Sequence, residues 1–323
     1  MSLTDRCSSE AAERGEFALT LPLRHGGEAA ARLRYELVGR GERLLLVAGG
    51  ISAGRHVIAS SAFPERGWWE VQAATFDPGR NRLLAIDWLG ADGSLDLPVD
   101  PADQADAIAA LLTHLRLARA NGFVGASYGG MVALHFAARH PSLCGSILVI
   151  SAAASAHPFA SACRSLQRRA LSLGEAAGDP ASGVALARAM AMLTYRTPAE
   201  FGDRFADPPL IESGRVRVAA DSYLEFQGDR HAGRMSAAAY RSLSESIDLH
   251  RIDPASVEVP ATFVAVDSDA LVPALDVDAL AAAVPGAGYH VIHSRFGHDA
   301  FLKEEAQVAA IISQYLQTLE PKP

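Results

Sequence analysis

The chain has 323 residues, enough for one large domain or for a domain carrying an insertion. With 49% apolar and 20% charged residues its make-up is that of an ordinary globular protein. A net charge of −8, with no long run of either sign, argues against a nucleic-acid or anionic-membrane surface as the main partner. Cys7, Cys144 and Cys163 lie outside any metal-ligand spacing and read as incidental thiols of a reducing compartment. Residues 1–16 are polar, lack the apolar segment of a signal peptide and read as a flexible leader. No apolar run approaches the ~18–20 residues of a membrane span, so the expected location is the cytoplasm.

In chain order, Phe17 to Leu23 and Ala31 to Val38 alternate apolar and polar around a His-Gly-Gly turn and predict two edge strands. Arg43 to Ala48 is a continuous apolar run, as a strand buried on both faces requires, and it ends in a Gly49-Gly50 loop. A second buried strand spans Arg82 to Trp88. Pro101 to Leu117 carries helical spacing at Ala105, Ile108, Leu111, Leu112 and Leu115. Gly122 to Ala126 is a short strand, a helix follows to His140, and Ser146 to Ser151 is a further core strand. The alternation implies a doubly wound, mostly parallel α/β sheet. It stops over residues 152–253, where helical patterns fall at His157 to Leu173, Gly183 to Tyr195, Ala220 to Gln227 and Ala237 to Ile247. Strands return at Ala261 to Val266 and Gly288 to His293, with helices at Leu275 to Ala283 and Leu302 to Leu319. Residues 17–151 and 254–323 therefore read as the core. Residues 152–253 read as a helical cap inserted at the carboxyl ends of the strands.

Gly125-Ala126-Ser127-Tyr128-Gly129 joins the strand to the helix as Gly-x-Ser-x-Gly, the pattern of a serine nucleophile on a tight strand-to-helix turn. In an α/β-hydrolase sheet the acid and the histidine follow in that order, each after a later strand. His298, after a glycine and before the last helix, is the candidate base. Asp267 and Asp269 both lie on the acid loop. Asp269 is preferred because it sits further past the strand end, and Asp267 then reads as a loop-capping carboxylate. The oxyanion donors would be the Tyr128 N–H and an N–H near Ile51, where Gly49-Gly50 lets the backbone approach closely. His140, His290 and His293 read as structural or solvated, and chain order gives His56 no place among the three.

At these residues the chain resembles the homoserine O-acetyltransferase family, the homoserine O-acyltransferases of the α/β-hydrolase fold. GASYGGMVAL is similar to the family elbow, with Tyr128 in place of a methionine. Gly67-Trp68-Trp69, the loop Asp267 to Pro273 and Gly297-His298-Asp299-Ala300-Phe301-Leu302 match in turn. So do cap segments around Met192 to Thr197, Arg204-Phe205 and Ser222 to Gly228. The resemblance supports Asp269 as the acid. It implies that Arg196 binds the substrate carboxylate and Asp299 its α-amino group. It also implies an acyl-CoA co-substrate with no permanently bound cofactor and no metal, a place in methionine biosynthesis, and a homodimer formed through the cap. The first loop departs from the family, reading Gly49-Gly50-Ile51-Ser52-Ala53-Gly54-Arg55. Arg55 there could pair with a succinyl carboxylate, or be a surface arginine. The expected reaction is ping-pong acyl transfer to homoserine, leaning to succinyl-CoA over acetyl-CoA. An L-serine acceptor, an esterase or thioesterase using the same triad, and a binding module on a degenerate fold are the alternatives.

Overall fold

Leu44, Leu46 and Ala48 point to one side of the sheet and Leu45 and Val47 to the other, and all five are buried. This is how a strand with a two-residue side-chain period packs between two layers of helices. The computed structural model describes residues 11–95 and 97–320; Cys7 and the first ten positions of the expected leader lie outside them.

The strands are β1 (Ala12–Pro22), β2 (Glu28–Val38), β3 (Arg43–Ala48), β4 (Asn81–Ile86), β5 (Gly122–Ala126), β6 (Ile147–Ile150), β7 (Leu210–Glu212), β8 (Arg215–Arg217), β9 (Ala261–Val266) and β10 (Gly288–Ile292). Eight of them form one sheet in the order β1-β2-β4-β3-β5-β6-β9-β10. β2 is antiparallel to both neighbours, and every pair from β4 to β10 is parallel. The helices are α1 (Ala73–Phe76), α2 (Pro101–His114), α3 (Tyr128–Arg139), α4 (Pro158–Ala176), α5 (Pro180–Tyr195), α6 (Pro198–Arg204), α7 (Asp221–Ala232), α8 (Ala237–Leu249), α9 (Ala274–Ala283), α10 (Ala300–Lys303) and α11 (Glu305–Thr318). α2, α3 and α9 cover one face of the sheet, and α1, α10 and α11 the other.

Several boundaries differ from those read in the sequence. Residues 12–16 are not leader: they pair with β2, Ala12 opposite Val38 and Glu16 opposite Arg34. α2 stops at His114 because Arg116 turns into the left-handed region at φ 55°. Its start is fixed by Asp100 and Asp103, which exchange backbone hydrogen bonds as a capping box ahead of Pro101. The last helix is broken at Glu304, whose carboxylate accepts the Ser294 hydroxyl at 2.7 Å.

The chain leaves the sheet after β6 and returns before β9 at a single place. Ile252 N donates to Ala154 O at 2.9 Å, and Ser155 bridges to Arg251. Between those points lie α4 to α8 and the small hairpin β7–β8. The hairpin has no apolar alternation to announce it. Its turn is Ser213-Gly214 with both φ positive, 52° and 77°, the twist that joins two antiparallel strands most closely.

Candidate active site

The turn after β5 is strained, and the sequence around it is what tolerates the strain. Ser127 sits at φ 55°, ψ −121°, a conformation that costs a residue with a side chain about 1–3 kcal/mol. A Cβ at Gly125 would lie 2.3 Å from the Gly129 carbonyl oxygen, and one at Gly129 would lie 2.3 Å from that of Ala48, so neither position has room for a side chain. The turn is tied down on both sides: Ser127 N donates to Ile150 O at 2.8 Å, and Gly129 N donates to Gly49 O at 2.8 Å.

Ser127 Oγ lies 2.7 Å from His298 Nε2, and His298 Nδ1 lies 2.6 Å from Asp269 Oδ2. Because the carboxylate can only accept, Nδ1 carries the ring proton and Nε2 is free to accept from the serine hydroxyl. Asp269 is itself oriented: its Oδ1 accepts the Leu271 and Val272 amides at 2.8 and 3.0 Å. Burial disfavours a charged His298, but the charge and hydrogen bond of Asp269 outweigh it and hold the imidazole above its ordinary value. Asp267 faces away, accepting from Ser294 N and pairing with His293 Nδ1 at 2.9 Å. His140 pairs with Asp106, and His56 with the buried Glu36.

The expected oxyanion donors border the same space. Tyr128 is the first residue of α3, where a backbone N–H has no intrahelical acceptor. Gly50 faces the nucleophile, a Cβ built there lying 4.0 Å from Ser127 Oγ, and Ile51 lines the cavity that opens above it.

That cavity is walled by the inserted helices. α4 contributes Arg164, α5 contributes Arg188 and Tyr195, and α8 contributes Tyr240. Asp299 lines it; Arg196 does not. Instead Arg196 is drawn behind the wall by Glu200 and by Asp299, whose Oδ2 lies 3.0 Å from its Nε. Burial raises the Asp299 carboxyl, with Arg196 and His298 pulling the other way. Arg55 is also absent from the wall, its guanidinium leaning towards Asp87 at 3.9 Å, so the structure gives it no contact with the reacting centre. Sequence reading missed Arg164, Arg188 and Tyr195. The available signal was spacing: Ala160, Arg164 and Gln167 share one face of α4, and Arg188 and Tyr195 one face of α5. Arg164 is neutralised by Asp248 at 2.6 Å, whereas Arg188 pairs with no carboxylate among the described residues and lies 5.1 Å from the Tyr195 ring centroid. Tyr195 in turn stacks on His298 with centroids 6.0 Å apart. Among the described residues no three His, Cys, Asp or Glu side chains are grouped to hold a metal.

A model of the alpha/beta hydrolase fold matches residues 43–305. The homoserine O-succinyltransferase of Xanthomonas campestris pv. campestris is 53% identical over 312 residues, covering 95% of this chain and 85% of that protein. The chain belongs to the homoserine O-acyltransferase family. It is therefore an enzyme of the acyltransferase class on an α/β-hydrolase scaffold. A serine O-succinyltransferase of Litchfieldella anticariensis is a more distant member, 31% identical over 87% of this chain and 90% of its own length. The crystal structure of a homoserine O-acetyltransferase from Bacillus anthracis superposes with a TM-score of 0.87 at 16% identity, covering 96% of this chain and 98% of that one, a likeness of fold. The family members differ in donor and in acceptor, so membership leaves both to the residues of the cavity.

Proposed function

We propose that the chain is an L-homoserine O-succinyltransferase that uses succinyl-CoA and works by a ping-pong mechanism. The observation that carries this is the placement of Arg164 and Arg188 in the wall of the cavity that opens over Ser127. A donor with a second carboxylate needs a fixed cation at the far end of its acyl chain. An acetyl donor has no such need. Arg188 takes that role because it pairs with no carboxylate among the described residues, whereas Arg164 is already held by Asp248 at 2.6 Å. The 53% identity to a succinyltransferase supports the same donor.

In the first half-reaction Ser127 Oγ attacks the thioester carbonyl carbon and its proton passes to His298 Nε2. Asp269 holds the ring in the tautomer that accepts it. The oxyanion accepts hydrogen bonds from Tyr128 N and Ile51 N. The tetrahedral intermediate collapses with loss of the CoA thiolate, which takes the proton from His298. In the second half-reaction the homoserine hydroxyl gives its proton to His298 and attacks the acyl-enzyme ester, and Ser127 leaves with that proton. Asp299, in the cavity wall, receives the ammonium of the amino acid, and Arg196 leaves Glu200 and Asp299 and turns into the cavity to take its carboxylate. The zwitterion thus exchanges the Arg196–Asp299 pair for two intermolecular ones. The inserted helices exclude water, which would hydrolyse the acyl-enzyme.

By the same reading the enzyme serves methionine biosynthesis in the cytoplasm and forms a homodimer through the insertion. Phe159, Leu166 and Leu173 recur every seventh residue on α4 with exposures of 58, 52 and 70%, and Leu186 and Leu193 do so on α5. This apolar stripe fits a second copy better than it fits water.

A substrate matrix tests the function: acetyl-CoA and succinyl-CoA, each with homoserine, with serine and with neither. CoA release that needs both succinyl-CoA and homoserine is the expected result, and Ser127→Ala should abolish it. Serine replacing homoserine would make the chain a serine O-succinyltransferase, the activity named for the relative that is 31% identical. Release without any acceptor would make it a hydrolase.

A further inference from the structure

Trp88 lies just past the end of β4 and is 4% exposed. Its indole Nε1–H donates to the Gly50 carbonyl at 3.1 Å. Gly50 O also accepts from Ala53 N at 2.9 Å, which closes the turn on itself. The two bonds do different things. The Ala53 bond shapes the loop and moves with it. The Trp88 bond ties the loop to the sheet. No peptide in the described chain is cis, so the Gly50–Ile51 unit is trans and its N–H points opposite to its C=O. Holding the Gly50 oxygen against Trp88 therefore sets the direction of the Ile51 N–H, the second oxyanion donor. A Gly-Gly sequence needs such an outside anchor, because it allows the peptide to rotate with little steric cost.

Trp88 is held in turn. Its edge meets the Tyr128 ring at 4.8 Å and 81°. The Tyr128 hydroxyl shares a 2.6 Å hydrogen bond with Ser246 Oγ on α8, and both residues are fully buried. The following residue, Leu89, is clamped by the buried Gln104 of α2, which bonds its N–H at 2.9 Å and its carbonyl at 3.1 Å. Ser246 of the inserted helix, Tyr128 of the elbow, Trp88 of the sheet and Gly50 of the oxyanion loop thus form one chain of contacts.

We infer that Trp88 is a positioning residue for acyl transfer, its indole N–H aiming the Ile51 amide at the oxyanion, and that the Tyr128–Ser246 bond makes this aim depend on how α8 is seated. The inference rests on the oxyanion hole proposed above. A pocket that has lost one aimed donor loses transition-state binding and keeps substrate binding, so the effect falls on kcat. A ring that merely filled space would affect stability instead.

The test is Trp88→Phe, which keeps an aromatic ring and removes the N–H. Its kcat with succinyl-CoA and homoserine should fall on the order of ten- to a hundredfold, with KM for both within about twofold and the acid limb of the pH profile unmoved. Labelling of Ser127 by a serine-directed phosphonate should slow in parallel, because its adduct places an oxygen in the same hole. Tyr128→Phe and Ser246→Ala should each lower kcat several-fold, and the double variant no more than either alone. Unchanged kcat and labelling in Trp88→Phe would overturn the inference. Should that variant fail to fold, Ser246→Ala decides: a several-fold loss in kcat at constant KM supports the chain of contacts, and full activity overturns it. Ser127→Ala separates the two levels of the argument. If it retains turnover, the triad reading itself falls; if it is inactive while Trp88→Phe is fully active, only the positioning role falls.

Discussion

His135 of α3 and His250 at the end of α8 meet in the interior, Nε2 to Nδ1 at 3.2 Å, each with 2% of its surface exposed. His250 Nε2 lies 2.8 Å from the Ala153 carbonyl, which can only accept, so that nitrogen carries the proton. In the neutral pair Nδ1 of His250 accepts from the Nε2–H of His135. The hydrogen bonds leave His135 Nδ1 unconstrained, so it is burial that keeps both rings uncharged. Burial holds both well below the ordinary histidine value, and the neighbouring ring lowers His135 further.

This pair makes the fold acid-sensitive. Unfolded, both histidines titrate near ~6.5. Their stabilisation is fully present above that pH and is lost as pH falls, since the unfolded chain takes up protons that the folded chain refuses. Each contributes a slope of about 1.4 kcal/mol per pH unit below ~6. Urea unfolding at pH 7, 6 and 5 should show the decline, and His135→Gln, which keeps a donor, should flatten it by about one proton. An unaltered slope in that variant would mean that the acid sensitivity lies elsewhere.

Asp269 and Asp267 should separate cleanly on substitution. Asp269→Asn leaves the geometry but stabilises the wrong tautomer of His298, and kcat should fall on the order of 10³–10⁴-fold. Asp267→Asn disturbs only an exposed pair with His293, and kcat should stay within about twofold.

The pH profile reports the same contact. Asp269 raises His298 above the ordinary histidine value, and the base must be neutral to act. The acid limb of kcat/KM should therefore lie above pH ~6.5 in the wild type. In Asp269→Asn burial remains and the compensating charge is gone, so the limb of the residual activity should move down. A limb that stays in place would assign it to another group.

Arg188 and Arg196 should fail on different substrates. Arg188→Gln should raise KM for succinyl-CoA about ten- to a hundredfold and leave homoserine within about twofold. Arg196→Ala should do the reverse, since a charge-assisted hydrogen bond contributes about 1.5–3 kcal/mol. Initial rates with one substrate varied at a time distinguish the two. Equal effects on both substrates would indicate a collapsed cavity.

The sequence by itself determined the scaffold and the order of its reacting groups. Runs such as Arg43–Ala48 and Ala261–Val266 could only be strands buried on two faces, and both have the bounds that the pattern gives. Gly125 and Gly129 marked the strained turn, where a side chain at either would meet backbone oxygen at 2.3 Å. Local pattern preferred Asp269 to Asp267 on their shared loop, and the fold brings Asp269 to His298, 29 positions further on. The pattern failed where the deciding partner lies on another element. Arg196 looked free for substrate, yet Glu200 and Asp299 draw it behind the wall, while Arg164 and Arg188 face the cavity. Helical spacing tells which residues share a face, but not what that face meets. The contacts of Trp88 with Gly50 and of His135 with His250 join residues 38 and 115 positions apart. Such contacts come into being only when the sheet and the inserted helices close on each other, so the tertiary structure alone decided them.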